Sequence, residues 1–183
     1  MAYTIYYPSD CDSDLPDHLC SNCEDIEHGR LRSVAFYKKS FAFTDPSNPL
    51  EWRTGILNKD IIIIPDVNGT FDGGSEVTAD GYGDQQEKLI GYNFTAQYKD
   101  PNYKQNADFY NVIKNSRNWM FAFKTETQVH FSDVTVQVIP KNPVTANTTD
   151  EVVWDVTVKW AGGTVPKPYD APAGTFTCFD YNN

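Results

Sequence analysis

The chain predicts a mainly β domain, a β-sandwich or barrel with one short flanking helix. Three observations carry this. Residues 88–99 and 152–160 alternate apolar and polar side chains with the period of a strand. Only residues 106–115 show helical spacing over a useful length. Between the strand candidates lies a long acidic, glycine-rich stretch, residues 66–87, that contains no Lys or Arg.

The elements follow in order. Tyr3 to Tyr7 is a short strand candidate, and residues 8–29 are irregular. Leu31 to Thr44 predicts a long strand in which Val34 and Phe36 share one face. Phe41 and Phe43 fall on the other parity, so a bulge or bend is expected at Lys38-Lys39. Asp45 to Pro49 is a turn cluster, Trp52 to Leu57 a further strand candidate, and Ile61 to Ile64 a buried strand ended by Pro65. Along 88–99, Ile90, Tyr92, Phe94, Ala96 and Tyr98 share one face.

Asn106 is the expected N-cap of the helix, with Asp108 in its first turn. Phe109, Val112 and Ile113 form the stripe expected to dock it. Trp119–Lys124 and Gln128–Ile139 predict two more strands, and Val152 to Trp160 alternates cleanly until Ala161-Gly162-Gly163. The tail, with Pro166, Pro168 and Pro172, is expected to be extended, with a last edge strand over Phe176 to Asp180.

At 183 residues the chain has room for one domain with a sizeable core. Residues 1–30 divide off as an acidic, cysteine-containing N-terminal arm, and residues 31–183 as the β domain. Aromatic residues make up 14% of the chain, so the core should be built largely from rings. No apolar run approaches the roughly 20 residues of a membrane helix, and no membrane partner is expected. Met1-Ala2-Tyr3-Thr4 has neither the basic nor the apolar region of a secretory signal, so synthesis and use in a cytoplasm are expected.

The formal charge is −10. Seven acids fall in residues 10–27 and six in residues 66–87. Nucleic-acid binding needs clustered cations, and this pattern is its opposite. An acidic wall would instead let a duplex pass without sticking. Such acids also serve plain solubility.

Chemistry-bearing motifs are few. Cys20-Ser21-Asn22-Cys23 has the spacing of two zinc ligands, with Cys11 and either His28 or Cys178 to complete a tetrahedral set. Disulfides and free thiols remain open for the same residues. Asp66 to Asp72 places oxygens like the start of a calcium loop, but Phe71 and Val77 stand where such a loop needs Gly and Glu. No nucleophile elbow, phosphate loop or zinc-protease helix is present in the sequence. His130 reads as an edge or core histidine. No cofactor other than that zinc is expected, and no enzymatic activity.

Four stretches carry a resemblance: Gly81-Tyr82-Gly83-Asp84-Gln85, Lys99-Asp100-Pro101-Asn102-Tyr103, Asn106-Ala107-Asp108-Phe109 and the run Val153 to Trp160. They resemble virion structural proteins of Bacteroidetes-infecting phages, including the crAss-like group. The order of elements is similar to the tail-tube fold, with a β-sandwich or barrel, a helix on its flank and a long loop or hairpin used between subunits. The resemblance spans Glu51 to Trp160 and leaves the cysteine segment outside, as an added contact arm or clip.

The resemblance implies a homo-oligomeric ring, as a head–tail connector or a tail-tube-like ring. Its partners would be copies of itself and adjoining virion ring, portal or tail proteins. DNA would pass through the lumen without specific binding. It implies a place in the virion after assembly in the host bacterial cytoplasm. Residues 88–99 and 152–160 would form the inner wall. The assembly loop would be carried by Asp66, Asp72, Gly73, Gly74, Glu76, Asp80, Gly81, Tyr82, Gly83 and Asp84. Readings from other classes are a carbohydrate-binding β-sandwich using Tyr82, Tyr103 or Trp119, a capsid decoration or fibre protein, and a hydrolase using acids of 66–87.

Overall fold

A computed structural model describes residue 27 and residues 29–84, 86–147 and 149–177. Its elements are β1 (Ser33–Lys38), α1 (Pro49–Leu57), β2 (Ile61–Ile64), β3 (Asn68–Phe71), β4 (Ser75–Ala79), β5 (Lys88–Asp100), α2 (Ala107–Ile113), β6 (Trp119–Lys124), β7 (Gln128–Phe131), β8 (Gln137–Lys141), β9 (Trp154–Gly162) and β10 (Pro168–Asp170). One five-stranded sheet runs β10-β7-β6-β1-β2. The other runs β3-β5-β9-β8, with β4 also paired to β5. Every pairing is antiparallel. The architecture is mainly β and sandwich-like; a single Leu31–Gly69 bridge links the two sheets at one edge and they do not close into a barrel.

The first sheet is covered on both faces. Val34, Phe36, Phe121 and Phe123 point into the inter-sheet core, where they meet Phe94, Tyr98, Val156, Val158 and Trp160 of the second sheet. Ala35, Tyr37, Ala122 and Val129 point the other way into a second core closed by Trp52, Ile56 and Phe176. This explains why β1 shows no wet face: the strand sits inside a middle layer. The second sheet has one wet face. Phe94, Ala96, Tyr98 and Asp100 of β5 are buried in alternation with Gln97 and Lys99, as the sequence pattern requires.

Several expectations are corrected. Residues 52–57 form helix α1, not a strand. The Asn48 side chain accepts a hydrogen bond from the Leu50 N–H at 3.0 Å, Pro49 opens the helix, and the Glu51 carboxylate takes the Thr44 N–H at 2.8 Å. Trp52 is then buried completely and donates its indole N–H to the Pro46 carbonyl at 2.8 Å. The domain therefore has two short helices rather than one. The first long strand ends at Lys38, and the expected bend is a turn that swings Phe41 and Phe43 onto the second core.

Residues 128–139 form two strands in different sheets. The chain leaves the first sheet at Ser132, whose N–H bonds the Phe121 carbonyl at 2.8 Å while its hydroxyl accepts the Phe121 N–H at 2.9 Å. The tetra-isoleucine strand β2 is an edge, so Ile61 and Ile64 are buried while Ile62 and Ile63 are half-exposed. Residues 168–170 form a short edge strand that begins on a proline, a position where the missing N–H costs no ladder bond. His130 stacks on Phe123 at 4.9 Å, and burial lowers its pKa. Phe176 and Thr177 lie in a bend, and residues 178–180 of the expected last strand lie outside the described residues, as do residues 3–7.

Glu27 fastens the start of the described chain to the β6–β7 turn. One carboxylate oxygen accepts from the Thr125 hydroxyl and from the Glu126 and Thr127 N–H groups at 2.6–2.8 Å; the other accepts from the Thr127 hydroxyl at 2.6 Å. Burial pushes this carboxyl up, but these bonds outweigh it and hold the pKa at about 2.

Candidate functional site

The stretch expected as one acidic loop, residues 66–87, contains two strands and a turn. Strands β3 and β4 lie end to end along β5: Phe71 faces Ala96 and Ser75 faces Asn93. The extra residue between them is absorbed at Asp72-Gly73-Gly74. The Asp72 carboxylate accepts the Gly74 N–H at 2.9 Å and the Thr95 N–H at 3.0 Å. Gly73 and Gly74 take φ of +77° and +95°, a backbone region that favours glycine. A Cβ on Gly74 would sit 2.5 Å from the Phe94 ring. Asp66 also has positive φ, +56°, in the turn after Pro65. Thus Asp66, Asp72, Gly73 and Gly74 shape the body of the domain.

The other predicted residues lie on an arm. β4 and the first part of β5 form a hairpin whose pairing with β9 stops at Tyr92, opposite Gly162. Beyond Gly91, β5 has only β4 beside it among the described residues. Val77 faces Gly91 and Thr78 faces Leu89, so Ile90 is a bulge. Glu76, Asp80, Gly81, Tyr82, Gly83 and Asp84 lie along this ribbon and its turn. Tyr82 is 89% exposed, Ile90 57% and Leu89 44%. Here the strict alternation expected of 88–99 fails: Ile90 has no second layer to face, whereas Tyr92, at the root of the arm, is still packed against the inter-sheet core. A two-stranded ribbon is at best marginally stable alone in water.

A second surface lies away from the arm. A depression of about 340 Å³ between α2 and β2 is lined by Ile62, Phe109, Val112, Ile113 and Trp119, with Asp108 at its edge. Trp119 also lines an adjoining depression of about 650 Å³ with Lys38 and Lys39, and Ser116 joins that one to a third lined by Lys114 and Arg117. The groove exists because α2 is rotated from the expected docking. Tyr110 and Ile113 are its buried residues; Val112 is 71% exposed and Phe109 only partly covered.

Asp100 fixes that rotation. It is fully buried and accepts from the Tyr110 hydroxyl at 2.8 Å, the Asn106 side-chain amide at 2.7 Å and the Asn102 N–H at 2.9 Å. Asn106 thus spends its side chain on Asp100 and makes no side-chain cap. Sequence reasoning missed this network, although an acid at the end of an apolar strand face followed by Asn and Tyr was its available signal.

Residues 88–99 and 152–160 do lie side by side, in β5 and β9. Their shared wet face carries Thr95, Gln97, Lys99, Asp155, Thr157 and Lys159. That face is mixed in charge; the acids of 66–87 concentrate on the arm and at its root. Tyr103 is occupied by stacking on Trp154 at 5.7 Å, and Trp119 is half-buried in the groove.

The zinc candidates Cys11, Cys20, Cys23 and His28, and Cys178 with them, lie outside the described residues. Among the described residues no group of three or more His, Cys, Asp or Glu side chains could hold a metal ion. Among the same residues no helix is long and apolar enough to cross a membrane. No protein-family model, curated protein or solved structure matches the chain.

Proposed function

We propose that this chain is a phage virion structural protein that assembles with copies of itself into a ring, as a head–tail connector or tail-tube-like ring through which DNA passes. The observation that carries the reading is the β4–β5 arm. It extends beyond the support of β9 and exposes Tyr82, Leu89 and Ile90. Such a ribbon gains most when a neighbouring subunit covers it. The edge strands β2, β8 and β10 carry no further strand among the described residues, and lateral association would complete them. The phage attribution and the adjoining portal or tail proteins rest on the sequence resemblance.

Light scattering after size exclusion, with negative-stain microscopy of the same fractions, tests the reading. Rings, tubes or stacks are expected. A strict monomer at high concentration, retained on glycan resin, would overturn it in favour of a carbohydrate-binding sandwich.

A further inference from the structure

We infer that the groove between α2 and β2 is the docking site for the β4–β5 arm of a second copy of this chain. This rests on the self-assembly reading and names the two surfaces that meet.

The surfaces are complementary in kind. The groove offers an apolar floor of Ile62, Phe109, Val112 and Trp119. The arm offers Tyr82, Leu89 and Ile90, which nothing within the described residues buries. They are also complementary in charge. Lys38 and Lys39 line the depression that adjoins the groove at Trp119, and Lys114 and Arg117 line a third beyond it. Lys38 is paired with Asp60 at 2.8 Å and Asp108 lines the groove itself, so the positive surplus comes from Lys39, Lys114 and Arg117 in the neighbouring depressions. The arm carries Glu76, Asp80, Asp84 and Glu87 against Lys88 alone. Opposed fields of this sort steer approach and fix orientation more than they add affinity.

Backbone geometry adds a third match. Ile62 belongs to β2, an edge strand whose outward N–H and C=O groups are open among the described residues, and a ribbon laid beside it can pair with them. The arm cannot fill the groove of its own molecule while β5 remains clamped in the second sheet by β3 and β9. Arm and groove share no residue, so wherever the second arm and groove of a pair do not also meet each other the contact is head-to-tail. Contacts of that kind close into rings or propagate as filaments.

The test uses the full chain and three variants. The groove variant is Lys39→Glu, Lys114→Glu, Arg117→Glu. The arm variant is Asp80→Lys, Asp84→Lys, Glu87→Lys. The third combines all six changes. All sites are exposed, and thermal melts confirm that each variant folds. Each single-surface variant should associate at least about tenfold more weakly than the wild type, and the loss should shrink in high salt. Mixed together, the two should assemble again with the variants alternating, because the unaltered arm meets the unaltered groove and the reversed arm meets the reversed groove. The combined variant should assemble again.

A photo-crosslinker at Val112 should capture residues 75–92 of another copy. If the wild type assembles and the groove variant assembles equally well, the docking site is wrong while the self-assembly reading stands. A wild type that stays monomeric at every concentration overturns both. Crosslinks from Val112 to residues 1–26 would assign the groove to the N-terminal segment and overturn the inference.

Discussion

The Tyr110 hydroxyl donates to Asp100 at 2.8 Å inside a core that excludes both side chains from solvent. This bond ties helix α2 to the end of β5 and sets which face of the helix is left open. Tyr110→Phe should cost about 1.5–3 kcal/mol, the range for a hydrogen bond to a charged group. Asp100→Ala should cost more, at least about 3 kcal/mol, because three buried or half-buried donors lose their acceptor. Urea denaturation of both variants and of the double variant would show strong non-additivity.

The buried phenols, two of them in this network, predict an alkaline limit. Burial pushes the phenols of Tyr37, Tyr98 and Tyr110 well above the ordinary value of 10.0, and Asp133 beside the first and Asp100 beside the other two add to it. An unfolded phenol gives up its proton near that value and the folded ones do not. The stability they confer is complete below pH 10 and drains away as pH rises above it. Phenolate absorbance should rise first for exposed tyrosines, and for these only together with unfolding. Smooth titration of every tyrosine in the folded protein would contradict the assignment.

Glu27 sets an acidic limit of opposite sign. Its carboxyl is held at about 2 against an ordinary 4.5. The fastening to Thr125–Thr127 is therefore complete above pH 4.5 and lost as pH falls toward 2. Carbon-detected NMR of the Glu27 carboxyl should give a midpoint near 2. Glu27→Gln should leave the core intact but increase proteolysis of the chain before Gly29.

Two adjacent glycines should differ in what they tolerate. At Gly74 an alanine meets both a positive φ and the Phe94 ring, and should cost about 2–4 kcal/mol. At Gly73 the space is open, so only the backbone cost of about 1–2 kcal/mol applies. Equal losses in a denaturation series would mean that the Phe94 contact is not formed.

Removing the arm should separate folding from assembly. Replacing residues 77–91 by Asn-Gly joins Glu76 to Tyr92, which already face each other, through a two-residue turn. The melting temperature should fall by no more than about 2–4 °C, equivalent to roughly 1 kcal/mol, while oligomers disappear from size exclusion. Collapse of the fold would show that the arm belongs to the core.

Strands that bury one face were legible in the sequence. β9 and the inner half of β5 follow their alternation because one side meets a core and the other meets water. Elements whose surroundings break that condition were not. β1 is apolar on both faces because it lies in a middle layer, and Ile90 alternates with nothing because the arm has no second layer. Helix α1 was misread because Trp52 and Ile56 suit either structure; its cap, Asn48-Pro49 with Glu51 shortly after, was the deciding signal. In the candidate site the acidic residues were visible as a group. That Asp72 folds into the body, at the Asp72–Gly74 turn, depends on pairing with Thr95, which no local pattern announces.

β5 runs unbroken for 13 residues from the turn of the arm to Asp100. In the body it is flanked on both sides, by β3 and by β9. Ladder bonds lie across a strand, so tension applied at the hairpin's far end, directed along β5, would load many of them at once in shear instead of unzipping them singly. Mechanical load passed between linked molecules would thus be delivered straight to the interior of the sandwich.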